Sequence, residues 1–151
     1  MHLGERRNGQ GIARAPTVLA FVASEIVGLG PGAEVLRGAL GTGRISSTQR
    51  SIKWCELRQS QTTGVWSMYQ EGIYAPDANT RWMGAAAMDN NGSIGITYLK
   101  SNATSIYPGL YYTGRRTCDP LGTLPVTEVL GVAGTGSQTG VNRVGDYAQT
   151  T

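Results

Sequence analysis

Three arginines, Arg81, Arg115 and Arg143, stand at the ends of apolar runs, and the last of them precedes Asp146 and Tyr147. The planar fork of donors on an arginine grips a carboxylate from two sides. A tyrosine can act as a nucleophile, and a carboxylic acid can move protons. Together such groups would suit cleavage of a glycosidic bond beside an acidic sugar. The plainer role for Arg81 and Arg143 is to tie the start of a strand to a neighbouring loop. Trp82, next to Arg81, would stack on a sugar ring if exposed and pack between sheets if buried. Arg81, Trp82, Arg143, Asp146 and Tyr147 are therefore the candidate ligand-binding residues, and no catalytic set is assigned.

The other motifs exclude more than they assign. Gly28-Leu-Gly-Pro-Gly32 lacks the third glycine of a dinucleotide loop, contains Pro31 and has no acidic residue about 20 positions on. It reads as a connector. Asp89-Asn-Asn-Gly-Ser93 offers one carboxylate where calcium asks for six or more oxygens, so it reads as a hairpin turn. Ser137 lacks the G-x-S-x-G frame of a nucleophile elbow. Cys55 and Cys118 are too widely spaced for a short metal motif, and the only histidine is His2. Zinc held by Cys and His is excluded, and a Cys–His nucleophile pair has no base. The two cysteines form one disulfide or none. No metal and no cofactor is expected.

Composition selects the elements that must position these residues. Glycine numbers 22 and charged residues make up only 15% of the chain, against a common share of about a quarter. Much Gly, Ser, Thr and Tyr with little Lys suits short strands and tight turns, which favours an all-β class. The net charge of +3 is spread out, with Arg6-Arg7 and Arg115-Arg116 the only adjacent basic pairs. Nucleic-acid binding draws most of its affinity from a basic patch, so that partner is not expected. No stretch is long and apolar enough to span a bilayer. Residues 17–23 form an apolar run after Arg6, Arg7 and Arg14, but it is short for a signal peptide and does not by itself indicate export.

The composition changes near Arg50. Residues 1–50 hold no Trp or Tyr, whereas all three Trp and all seven Tyr lie beyond. Residues 1–50 read as an unassigned, Gly-rich, weakly ordered leader, with a two-turn helix over residues 33–40 ended by Gly41. Residues 51–151 read as repeated strands. Residues 51–58 alternate, with Ile52, Trp54 and Glu56 on one side and Cys55 and Leu57 on the other. Residues 65–70 form a second strand and residues 82–88, small and apolar throughout, one buried on both faces. A hairpin through Asn91-Gly92 leads to strict alternation over residues 93–99, and residues 106–113 and 124–132 follow. Residues 81–132 thus form a four-strand meander, the unit of a propeller blade.

Trp54-Cys-Glu-Leu-Arg58 matches Tyr111-Tyr-Thr-Gly-Arg115, and Arg81-Trp-Met-Gly84 matches Arg143-Val-Gly-Asp146, at offsets of about 57 and 62 residues. The expected architecture is an incomplete β-propeller, one whole four-stranded blade with parts of two flanking blades. Its open sheet edges invite self-association. The segments Arg81-Trp-Met-Gly84, Ala87-Met-Asp-Asn-Asn-Gly-Ser-Ile94, Tyr107-Pro-Gly-Leu-Tyr-Tyr-Thr-Gly-Arg115, Asp119-Pro-Leu-Gly122 and Gly134-Thr-Gly-Ser-Gln-Thr-Gly140 resemble large secreted bacterial proteins with sialidase-like or uncharacterised β-propeller domains. The resemblance runs from about Ile52 to the last residue. It implies an extracellular or cell-surface protein and a non-catalytic binding or structural module with a carbohydrate or protein ligand. The remnant of a sialidase-like glycoside hydrolase is the alternative.

Overall fold

The computed structural model describes residues 24–28, 33–37, 40–60, 62–140 and 150. Among them the chain is all-β, with two antiparallel sheets and no helix. The first sheet contains β1 (Ser24–Gly28), β2 (Ala33–Arg37), β3 (Leu40–Arg44), β4 (Arg50–Ser60) and β5 (Trp66–Tyr74). β4 is its spine. β2 and β3 lie end to end along one side of it, β5 pairs with the other side, and β1 pairs with β2. The second sheet is the meander expected over residues 81–132, with β6 (Thr80–Met88), β7 (Ile94–Ser101), β8 (Gly109–Arg115) and β9 (Val129–Val132) side by side in chain order.

The structure departs from the sequence reading in three places. Residues 33–37 are a strand and not part of a helix, with Ala33 opposite Ser60 and Leu36 opposite Leu57. An isolated two-turn helix is marginal in water, whereas β4 offers this segment a ladder of partners. Pairing also runs across residue 50, from Arg44 opposite Arg50 to Leu40 opposite Trp54, so strands from both sides of the composition change share one sheet. The last strand begins at Val129 and not near residue 124. The preceding segment turns back on the first sheet instead, where Gly122 N–H donates to Gln70 Oε1 at 3.1 Å and Leu124 is buried in the core.

Alternation decides what faces inward. Ile52 and Trp54 on β4 pack against Ala86 and Met88 of β6 and Ile94, Ile96 and Tyr98 of β7. Each large apolar side chain buried here contributes about 1.5–3 kcal/mol before entropy is charged against it. In β6 the register shifts between Trp82 and Ala85, and Met83 within this bulge has φ of 51°. That backbone costs a non-glycine residue about 1–2 kcal/mol, and it puts Trp82 and Ala85 on the same face of the sheet.

Gly72 marks the closest approach of the first sheet to the 120–124 segment. A methyl group there would meet Trp54 Nε1 at 2.8 Å and press on the carbonyl oxygen of Gly122. Trp54 is held by the core and Gly122 by its N–H bond to Gln70, so neither yields readily. Gly72→Ala is expected to destabilise the protein by about 1–3 kcal/mol, read as a lowered midpoint in urea with an unchanged slope.

Candidate functional site

Strict alternation along β7 puts Ile94, Ile96, Tyr98 and Lys100 on the buried face. Arg81 on β6 lies directly opposite Lys100 and is 1% exposed. Two cations thus sit on a core-facing surface, which is tolerable only if carboxylates meet them there. Glu128, from the segment leading into β9, supplies one. Its Oε2 accepts from Arg81 Nε at 2.8 Å and from the Tyr98 hydroxyl at 2.6 Å, and its Oε1 accepts from the Lys100 ammonium. Asp77, from the loop joining the two sheets, supplies the other. It takes Arg81 Nη1 at 2.7 Å on one oxygen and Nη2 at 2.9 Å on the other. Arg81 Nη1 also reaches the carbonyl of Asn79 at 3.2 Å.

Aromatic rings wall the cluster. The guanidinium carbon of Arg81 lies 5.5 Å from the centre of Tyr74 and 6.0 Å from that of Tyr98, while Lys100 Nζ lies 4.1 Å from the centre of Tyr111. The electrostatics follow from these contacts. The hydrogen bonds from Arg81 hold the Asp77 carboxyl far below its ordinary value. Burial pushes Glu128 up, but the donors on Arg81, Lys100 and Tyr98 outweigh it and the net shift is down. For Arg81 burial is outweighed in the same way by Asp77 and Glu128, and its affinity for the proton rises. Burial, reinforced by the Glu128 carboxylate, raises Tyr98 far above the ordinary phenol. Each shift strengthens the charge state already present. Asp77, Glu128, Arg81 and Tyr98 are each moved away from the range in which a side chain exchanges a proton near neutrality.

A second polar group lies on β4 and β5. Glu56, 1% exposed, accepts from Arg58 Nε at 2.7 Å and from the Gln70 side-chain amide, and Gln70 in turn holds the Gly122 N–H. The Arg58 guanidinium stacks 3.4 Å from the centre of Tyr69. A small hollow lined by Trp54, Cys55, Glu56, Met88 and Ile94 lies nearby, with room for about one water molecule.

The candidate residues separate in space. Arg81 is in the ion cluster, its three nitrogens engaged by Asp77, Asn79 and Glu128. Trp82 is partly buried on the opposite, outward face of β6, across from Leu99. Arg143, Asp146 and Tyr147 lie outside the described residues. Arg115 pairs across the sheet with Ile94, six positions along β7 from Lys100 and so about 20 Å from Arg81. Those two arginines cannot grip one carboxylate. Arg115 donates from Nη2 to the Asp119 carbonyl at 2.6 Å, and its buried Nε has no partner. Asp89 accepts from the N–H groups of Asn91 and Ser93 at 2.9 and 2.8 Å, which lowers its pKa and closes the hairpin. Cys55 is buried, Cys118 is exposed, and the two are not joined in a disulfide. No group of three or more potential metal ligands occurs among the described residues. Among the described residues there is no helix long and apolar enough to cross a membrane.

Sequence reasoning missed Asp77, Tyr98, Lys100 and Glu128. One signal was readable: Lys100 continues the even-numbered apolar face of Ile94, Ile96 and Tyr98, and a cation there demands a buried carboxylate. Nothing in the sequence said which carboxylate. Comparison with known protein families finds no matching family model, and comparisons with curated proteins and with solved structures find no match either.

Removing one partner of a buried pair strands the other charge, so Glu128→Ala is expected to destabilise by about 3–5 kcal/mol in urea denaturation. The pH dependence has a fixed sign. Asp77 and Glu128 are depressed from 3.8 and 4.5, so their stabilisation is complete above those values and disappears as pH falls through the lower folded ones. Urea midpoints measured from pH 7 to pH 2 are expected to drop steeply below pH 4.5. The drop should be shallower in Asp77→Asn, whose side chain is the more exposed of the two carboxylates.

Proposed function

We propose that the chain is part of a secreted β-propeller-type protein, and that this part is a non-catalytic binding or structural module with a carbohydrate or protein ligand. The observation that carries the reading is a pair of successive antiparallel sheets, each four strand-lanes wide when β2 and β3 count as one lane, stacked through β3, β4 and β6. Successive four-stranded sheets stacked face to face are what blades of a propeller require.

The grading of side-chain size supports it. β6, which meets the first sheet, carries Gly84, Ala85, Ala86 and Ala87, whereas β8 and β9 carry Leu110, Tyr111, Tyr112, Val129 and Leu130. The small stretch of β6, between Met83 and Met88, lets the two sheets approach closely there. The non-catalytic half of the reading rests on Arg81, whose guanidinium is consumed by the protein's own carboxylates. The extracellular setting rests on the resemblance in sequence to secreted propeller proteins.

The test pairs a carbohydrate array with a fluorogenic sialoside assay on the same purified chain. Binding without turnover is the expected outcome. Hydrolysis that is lost in Arg81→Lys while the fold is retained would overturn the reading in favour of a glycoside hydrolase remnant.

A further inference from the structure

Four charged side chains are buried among the described residues: Glu56, Arg81, Lys100 and Arg115. Three of them meet an opposite charge. Arg81 and Lys100 are neutralised by Asp77 and Glu128, and Glu56 by Arg58 at 2.7 Å. Arg115 is 3% exposed, and no carboxylate of the described residues lies within ion-pair distance of it. Of its five N–H donors one reaches an acceptor, the Asp119 carbonyl at 2.6 Å, and the buried Nε has no partner.

The carboxylates of the neighbouring turns are engaged elsewhere. Asp119 Oδ2 accepts from the Arg116 N–H at 2.6 Å, and Asp89 Oδ1 accepts from Asn91 and Ser93. An unpaired buried cation is costly. A water molecule can accept one of its N–H groups but leaves the charge in place, so only an anion removes the cost.

We propose that Arg115 anchors a binding site for a small oxyanion, phosphate or sulfate, which supplies the negative charge that the described residues do not. The inference stands apart from the propeller-type reading, since the site lies within the second sheet and the turn that follows β8. A guanidinium presents its donors in a planar fork, and an oxyanion takes two of them in parallel. The anion approaches from the turn at residues 116–122. It does not approach through the hollow beside Ile94, because Glu56 lines that hollow and its carboxylate repels a second negative charge. On the turn side Arg116, Thr117 and Cys118 are exposed, and Arg116 adds a second positive charge. The frame around Arg115 is already built. Asp119 N–H donates to the Arg116 carbonyl at 3.0 Å, the Thr117 hydroxyl donates to the Asn91 carbonyl, and Thr113 Oγ1 donates to the Val126 carbonyl at 2.6 Å.

Urea unfolding of the intact chain, with chloride replaced stepwise by inorganic phosphate at constant pH and ionic strength, tests this. The expected result is a midpoint that rises with the logarithm of phosphate concentration. Above the dissociation constant the folded-to-unfolded ratio should grow about tenfold for each tenfold of phosphate. Arg115→Met, which keeps the volume and removes the charge, should lose that response. Calorimetric titration of the folded wild-type chain with phosphate should show one site. Arg115→Lys keeps the charge but loses the fork, and should bind phosphate about tenfold more weakly. A wild-type midpoint indifferent to phosphate, or a titration without a binding isotherm, would overturn the proposal. So would a response that persists in Arg115→Met, which is the result for a general salt effect or a site elsewhere. Should the Met variant not fold, the Lys variant decides, and phosphate binding unchanged in it would refute the anchor.

Discussion

The carboxylate of Glu128 is the contact on which the arrangement of this protein turns. It neutralises cations from two adjacent strands and accepts the hydroxyl of Tyr98, and it does so from a segment with no regular structure of its own. Arg81 carries the constraint onward to Asp77, in the loop between the sheets. That loop is itself anchored by Gln49, whose side-chain amide donates to the Asp77 carbonyl at 2.6 Å, and by Asn102, which reaches Asn79 at 3.0 Å. The hairpin between β3 and β4, the inter-sheet loop and the approach to β9 are therefore fixed by one chain of ion pairs and neutral hydrogen bonds. An apolar core of the same volume would be about as stable. It would not determine where those loops end.

The apolar contact supplies most of the driving force and little of this specificity. Ile52 and Trp54 contribute no directional bonds to Ile94 and Ile96, whereas a one-residue slip of β7 against β6 would turn Lys100 outward and strip Glu128 of that partner. The polar cluster and the core are thus complementary: burial drives the sheets together, and the ion cluster admits one register. Glu56 does similar work lower in the interface. It orients Gln70, which carries the 120–124 segment onto the first sheet.

Much of the second sheet was legible in the sequence because its signals are local. Period-two alternation from Ile94 to Lys100 and the Asn91-Gly92 hairpin define β6 and β7 without reference to anything distant. The segment at residues 33–37 was misread for the opposite reason. Ala-Glu-Val-Leu-Arg fits a short helix as well as a strand, and only the remote ladder of β4 decides between them. The site was less legible than the fold. Arg81 drew attention as an arginine beside a tryptophan, a pattern that suits a ligand clamp and a buried tie equally. Its partners Asp77 and Glu128 lie 4 and 47 residues away in segments with no periodic pattern, so only coordinates could join them.

The two faces of the second sheet now pose different recognition problems. The inner face carries charges, so whatever covers it must leave room for the carboxylates of Asp77 and Glu128. A wrong partner there would bury a cation unpaired, which is a strong form of discrimination. The outer face carries no such key. Its exposed part, Leu110 and Tyr112 on β8 with Val129 and Val132 on β9, is apolar, while Ala85 is buried and Trp82 and Thr97 are partly so. Shape selection between sheets is permissive, since apolar side chains of similar volume substitute for one another with modest loss. The ion cluster thus gives the covered face of the second sheet a polar key, and the exposed residues of β8 and β9 carry none.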